Sequence, residues 1–122
     1  MKRTEKGFTL IEVMLALSIL GFGLLSVAAM QLNAIRGSAF AAGLSEATEG
    51  TQQAIELQLS IPYASMATGN DTITGPRGTA LTRTWTVANP TADYATITAT
   101  TTYVDEMANN RTISLTTVRA RN

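Results

Sequence analysis

The chain has 122 residues, of which 45% are hydrophobic, with nine basic and nine acidic side chains. This length allows one small domain, and a sequence without Cys or His excludes disulfides, thiolate metal sites and histidine-based catalysis. The charge also lacks the clustered basic face of nucleic-acid-binding proteins, which argues against nucleic acid as a partner.

The first seven residues form a charged leader with a net charge of +2, carried by basic Lys2, Arg3 and Lys6 and acidic Glu5. An apolar run of 23 residues follows from Phe8 to Met30, and its single ionisable side chain is Glu12. As a helix this run is about 34 Å long, enough for a hydrocarbon core of about 30 Å. Positive charge before such a run predicts that the leader is cytoplasmic and that the chain after it is exported.

A cleaved signal peptide is the alternative interpretation, because Ser26-Val27-Ala28 offers a small-x-small cleavage site. Two features count against it. The apolar run exceeds the usual apolar region of roughly 7 to 15 residues. Glu12 would also cost on the order of 2 to 3 kcal/mol inside a membrane, and a signal peptide has no need of it.

The pattern after Met30 is one-sided and predicts an amphipathic helix that continues the first and ends before Pro62. Its predicted buried stripe is Leu32, Ile35, Ala39 or Phe40, Leu44, Ala47, Thr51, Ala54 or Ile55, and Leu59. The acidic and amide side chains at 46, 49, 53 and 56 fall on another face. Glycines at 37, 43 and 50 are expected to bend or soften this helix without breaking it.

The remaining chain predicts short antiparallel strands on the alternation of apolar residues with threonine. We expect a loop over 62–77 that includes a short strand at 71–74, and strands at 79–88, 94–104 and 111–119, with a turn at Asn89-Pro90 and another at 105–110. The predicted fold class is α+β: a long N-terminal helix whose apolar half protrudes and whose second half packs on a sheet of three to four strands. The predicted parts are a leader at 1–7, an apolar helix at 8–30 and a globular domain at 31–122.

The opening segment Lys6-Gly7-Phe8-Thr9-Leu10-Ile11-Glu12-Val13 resembles the signature shared by type IV pilins and the pseudopilins of type II secretion. That signature is a short basic leader, then Gly-Phe-Thr-Leu-Ile-Glu, then a long apolar helix. The resemblance is close over roughly the first 30 residues and looser beyond them. It implies a structural protein without enzymatic activity or a cofactor, and no catalytic or metal-ligand motif is found beside it.

The resemblance further implies processing by a prepilin peptidase on the cytoplasmic side of the inner membrane. The cut would fall between Gly7 and Phe8, and Phe8 would become the N-methylated first residue. The apolar helix would be kept, so that the protein is a single-pass inner-membrane protein before assembly. It would then join other pilin subunits in a cell-surface pilus or a periplasmic pseudopilus.

In this family the membrane carboxylate has an assembly role, and the resemblance therefore implies that Glu12, together with Thr9, sets the register of assembly. Pairing of Glu12 with the Phe8 amine of a neighbouring subunit would relieve two unpaired charges in an apolar filament centre. The alternative is that Glu12 reaches the membrane interface or is protonated and faces Thr9.

Two further stretches resemble V-type minor pilins (PilV-like) more than major subunits: Gly23-Leu24-Leu25 leading to Met30-Gln31, and the C-terminal pattern at 82–87, 97–105 and 111–117. The chain departs from many major pilins because it lacks their cysteine pair and has Ala29 where they often carry proline. A minor pilin is therefore the leading hypothesis. The alternatives are a pseudopilin, a tip adhesin or ligand-binding module tethered by the helix, and a secreted domain released after Ala28.

Overall fold

The computed structural model describes residues 7–91 and 93–121. It contains one long helix, one short 3-10 helix and four strands: α1 Leu10–Ser60, the 3-10 helix Tyr63–Ser65, β1 Gly69–Thr74, β2 Ala80–Thr91, β3 Tyr94–Val104 and β4 Asn110–Ala120. The chain divides into two units, Met1–Ser38 and Ala39–Asn122. The fold class is α+β, as the sequence predicts, with a long helix packed on an antiparallel sheet.

Helix α1 runs without a break for 51 residues and ends at Ser60, two residues before Pro62. Its last turn leaves carbonyl groups without helical partners. The Arg119 guanidinium donates to the carbonyls of Gln58 at 3.2 Å and Ile61 at 2.7 Å. The Arg119 side chain of β4 therefore caps the C-terminus of the helix, where the negative end of the helix macrodipole favours a positive charge.

The four strands form a meander in the order β1-β2-β3-β4, with every neighbouring pair antiparallel. Strand β3 has the predicted bounds, and β4 extends the prediction by one residue at each end. Strand β1 starts at Gly69, two residues earlier than predicted. The alternation of threonine with apolar residues therefore locates these strands closely.

The predicted turn at Asn89-Pro90 is wrong, because β2 continues to Thr91. The pairing of β2 with β3 changes register between Ala88 and Thr91, and Thr91 pairs with Tyr94. Proline has no N–H for a ladder bond and is accommodated in a sheet at such an irregularity. The chain reverses after Thr91, beyond the predicted turn.

The helix buries a face of mostly small residues against the sheet, namely Ala47, Gly50, Thr51 and Ala54 together with Gln58. Three of these belong to the predicted stripe, but five of its large members are exposed, namely Leu32, Ile35, Phe40, Leu44 and Leu59. The reason is steric, because small side chains on this face leave room for the Ile73, Leu81 and Arg83 side chains to reach the helix backbone. A Cβ on Gly50 would lie 3.6 to 3.7 Å from side chains of β1 and β2.

Two further polar contacts hold the helix on the sheet within Ala39–Asn122. The hydroxyls of Thr51 and Thr101, both fully buried, are hydrogen-bonded at 2.7 Å. Arg83, which the alternation places on the apolar face, is 7% exposed and forms an ion pair with Asp71 of β1. Its guanidinium also donates to the Gly50 carbonyl at 3.4 Å. A buried charge on this face is thus paired and hydrogen-bonded, as burial requires.

Candidate processing and assembly segment

Thr9 caps the N-terminus of α1. The Glu12 N–H donates to the Thr9 carbonyl at 3.1 Å and lies 3.4 Å from the Thr9 hydroxyl oxygen, and the Val13 N–H donates to the Thr9 carbonyl at 3.3 Å. Threonine followed three residues later by glutamate is the capping-box pattern. The Thr-x-x-Glu spacing signals this capping role, which is absent from the roles predicted for Thr9 above. The helix therefore has a defined beginning at Leu10.

Glu12 lies in the first turn of α1. The positive end of the helix macrodipole favours a carboxylate there. The predicted site residues Gly7, Phe8, Thr9 and Glu12 are thus brought together at one helix end, with the first three preceding the helix. The predicted leader charges Lys2, Arg3 and Lys6 lie outside the described residues.

The Gly7–Phe8 peptide bond is open on all sides in the described structure. A Cβ built on Gly7 would have no atom within 4 Å, and Phe8 is 83% exposed. Because both residues precede the first helical turn, their backbone is outside the helical hydrogen-bond ladder. Among the described residues, nothing therefore covers the Gly7–Phe8 bond.

The helical residues up to Ser38 present apolar side chains outward along their whole length. Every described residue from 7 to 38 is exposed except Gly21, which is partly buried. Ser18 and Ser26 donate to the carbonyls of Met14 and Phe22, each at 2.9 Å. These two hydroxyls are thereby satisfied within the helix, as a membrane or an apolar bundle requires.

By length and composition, α1 can cross a membrane: its best 18-residue window has a mean hydropathy of 2.3 and none of it is buried. Among the described residues, no group of three or more acidic side chains is placed to hold a metal ion. The features of this segment are therefore an exposed Gly7–Phe8 peptide bond, a capped helix end and an exposed apolar surface.

Residues 2–28 match the family model of the prokaryotic N-terminal methylation motif. The match covers Gly7, Phe8, Thr9 and Glu12 together with most of the apolar run. It supports a type IV pilin-like protein, in agreement with the resemblance found in the sequence and with the α+β fold. Comparison with curated proteins and with solved structures gives no match.

Proposed function

We propose that the chain is a minor pilin, a structural subunit cut by a prepilin peptidase between Gly7 and Phe8 and then packed into a type IV pilus. The main support for this proposal is the structure at the N-terminal end of helix α1. An accessible Gly-Phe bond stands directly before a Thr9-capped helix whose exposed surface is apolar and whose one acid up to Met30 is Glu12.

Cleavage at this bond leaves the Phe8 amine two residues before the helix and Glu12 in its first turn. In an apolar bundle both groups are costly when unpaired. The Glu12 carboxylate of one subunit pairs with the Phe8 amine of the next, and this pair sets the axial register. Before assembly the same helix is held in the inner membrane as a single span.

A pseudopilin of a type II secretion system is the second candidate, because the matched motif serves both kinds of protein. Its filament is periplasmic, whereas a pilus reaches the cell surface. Recovery of the protein in sheared surface filaments supports the pilin, and recovery only with a secretion platform in the membrane fraction supports the pseudopilin.

Mass spectrometry of the mature N-terminus tests the processing step. We expect N-methylated Phe8 as the first residue, and Gly7→Leu to leave the leader attached. The matched control is Ala28→Leu, which removes the competing small-x-small site and is expected to leave processing unchanged. A mature protein that begins at Ala29 or Met30, lost in Ala28→Leu and kept in Gly7→Leu, would overturn the proposal.

A further inference from the structure

Helix α1 contains five glycines, and only some of them are held by other groups. Glycine is the weakest helix former after proline, because it loses the most backbone freedom and leaves its peptide groups open to water. Each glycine is therefore a point where the helix opens easily unless something else holds it. In chain order the five are Gly21, Gly23, Gly37, Gly43 and Gly50.

Contacts with the sheet hold the last two of these glycines. A Cβ built on Gly43 would lie 3.2 Å from the Tyr103 ring, and one on Gly50 would lie 3.6 to 3.7 Å from side chains of β1 and β2. The Gly50 carbonyl also accepts from the Arg83 guanidinium at 3.4 Å. Opening the helix at either position would therefore break contacts with the sheet in addition to the hydrogen bonds of the helix.

The apolar run protects the first two glycines by a different effect. Gly21 and Gly23 lie within residues 8–30, where the neighbouring side chains are mostly apolar. A backbone hydrogen bond that opens in lipid or in an apolar bundle finds no water to replace it, so opening there is costly. These two glycines are therefore protected wherever the apolar run is in lipid or packed against other helices.

Gly37 has neither kind of protection. A Cβ built on it would have no atom within 4 Å, and it lies beyond the apolar run in a more polar stretch, with Gln31, Asn33 and Arg36 before it. Ser38 follows it, and a glycine–serine pair is a recognised cause of helix kinks. Water therefore reaches the backbone of this turn and competes for its hydrogen bonds.

The helix is clamped immediately after this turn. Arg77, in the turn between β1 and β2, donates to the Ala39 carbonyl at 3.0 Å and forms an ion pair with Glu106 in the turn between β3 and β4. Phe40 lies against Arg111, 5.4 Å from guanidinium carbon to ring centroid. The boundary between the two units of the chain also falls here, directly before Ala39. Bending of the helix is therefore concentrated in the turn before the clamp.

We propose that α1 has a hinge at Gly37–Ser38, a single turn that opens and bends while the helix on either side stays formed. Bending there allows the apolar run to follow lipid or neighbouring helices without straining the contacts within Ala39–Asn122. It rests on α1 and its contacts alone and does not depend on cleavage at Gly7 or on assembly through Glu12.

Residue-resolved amide hydrogen exchange on the full chain in detergent micelles tests the opening. Opening at Gly37 breaks the hydrogen bonds of the four amides that follow it, at residues 38–41. We expect exchange there to be about tenfold faster than at the four amides after Gly23 and the four after Gly50, because local opening sets the exchange rate. The amides at 31–34 should stay protected, since the hinge is local.

Two glycine variants form a matched pair. Gly37→Ala adds a methyl group in open space and is expected to slow exchange at 38–41 about fivefold, which corresponds to about 1 kcal/mol. Gly23→Ala adds the same group in equally open space and should leave exchange at 38–41 unchanged. Neither methyl group meets another atom, so both variants are expected to fold.

Spin labels measure the bending itself. The chain has no cysteine, so cysteines introduced at exposed positions are labelled selectively. Ala34→Cys with Ser45→Cys spans the hinge, and Ser45→Cys with Glu56→Cys spans Gly50 instead. Both pairs are about 17 Å apart along the helix axis. We expect a broader distance distribution for the first pair, and we expect Gly37→Ala to narrow it.

Four results would contradict a hinge at this turn. Exchange at 38–41 could be as slow as beside Gly23 and Gly50, Gly23→Ala could slow it as much as Gly37→Ala does, or the two labelled pairs could give distributions of equal width. Equally fast exchange from 31 to 41 would mean an unfolded segment rather than a hinge.

Discussion

At the scale of single residues, two effects act in opposite directions on the charged carboxylate of Glu12. The first turn of the helix favours its carboxylate, while the apolar surroundings proposed for the assembled helix disfavour an unpaired charge. Its own helix therefore orients Glu12 without neutralising it. The neighbouring subunit's amine supplies the missing partner in the proposed filament.

Replacing Glu12 by alanine distinguishes filament assembly from the earlier steps of membrane insertion and cleavage. We expect Glu12→Ala to be inserted and cleaved like the native chain, because neither step uses the carboxylate. Its recovery in sheared filaments should fall to about a tenth of the native level, which corresponds to a loss of about 1.4 kcal/mol of assembly free energy. Immunoblots of membrane and filament fractions measure this ratio. Glu56→Ala, an exposed acid on the same helix, is the control and should assemble normally. Normal incorporation of Glu12→Ala would remove the assembly role.

Asp105 makes a pH-dependent contribution at the turn between β3 and β4. The Asn109 N–H, which donates to this carboxylate at 2.8 Å, is the main cause of a pKa held below the usual value for aspartate, and Arg111 at 2.9 Å adds to it. A lowered pKa in the folded state means that the stabilisation is present above the unfolded pKa of about 3.9 and is lost as pH falls through the folded pKa.

The expected result is a loss of stability in acid that depends on Asp105. Between about pH 5 and about pH 2, the unfolding temperature of the native chain should fall more steeply than that of Asp105→Asn, whose side chain does not titrate. Circular dichroism at a series of pH values measures both. Glu56→Gln is the control and should keep the native slope. Equal slopes for the native chain and Asp105→Asn would contradict the prediction.

At the scale of elements, the glycines of α1 differ in what surrounds them. A Cβ on Gly50 would meet Ile73, Leu81 and Arg83 at ordinary contact distances of 3.6 to 3.7 Å, whereas one on Gly43 would lie 3.2 Å from the Tyr103 ring. Glycine inside a helix costs roughly 0.8 to 1.0 kcal/mol relative to alanine. We therefore expect Gly50→Ala to raise the free energy of unfolding by about 0.5 to 1 kcal/mol and Gly43→Ala to raise it less.

Gly69→Ala is the contrasting variant, because its Cβ would lie 2.9 Å from the Trp85 ring, whose Nε1 donates to the Ala67 carbonyl. It should lower the free energy of unfolding. Urea titrations followed by Trp85 fluorescence rank the three variants. A Gly50→Ala protein less stable than the native chain would contradict the prediction and show that the contact between helix and sheet has no room for a methyl group at this position.

The elements themselves follow closely from the sequence, and the errors have identifiable physical causes. Period-two threonines locate β3 within a residue, and Pro62 locates the helix end. Periodicity could not show that the helix would bury Gly50 rather than Leu44, because the buried face depends on which side chains of the sheet pack against the helix. It also could not show that Arg83 pairs with Asp71, since the pairing requires the register of β1 against β2. The candidate site lies within one short stretch of sequence, so its residues could be proposed without knowledge of the fold, apart from the capping role of Thr9; their roles in cleavage and assembly stay predictions.

At the scale of the whole molecule, the buried residues are concentrated in one stretch. Every buried residue that the structure describes lies between Ala47 and Tyr103, whereas the apolar residues from Phe8 to Met30 are exposed. Burial of apolar surface is the main driving force of folding. The globular unit therefore contains the contacts that stabilise it, and the apolar helix contributes a surface for other molecules.

A fragment that begins at Leu32 tests this division of roles. We expect it to fold in water without detergent and to unfold cooperatively, because it retains the whole buried set, including the hydrogen bond between Thr51 and Thr101. A fragment that begins at Gln52 is the control. It lacks Ala47, Gly50 and Thr51 and leaves the Thr101 hydroxyl without its partner, at a cost of about 1 to 3 kcal/mol in addition to the lost packing. Thermal unfolding by circular dichroism and sedimentation velocity compare the two. A Leu32 fragment that aggregates or melts without a cooperative transition would mean that the sheet needs the apolar helix to fold.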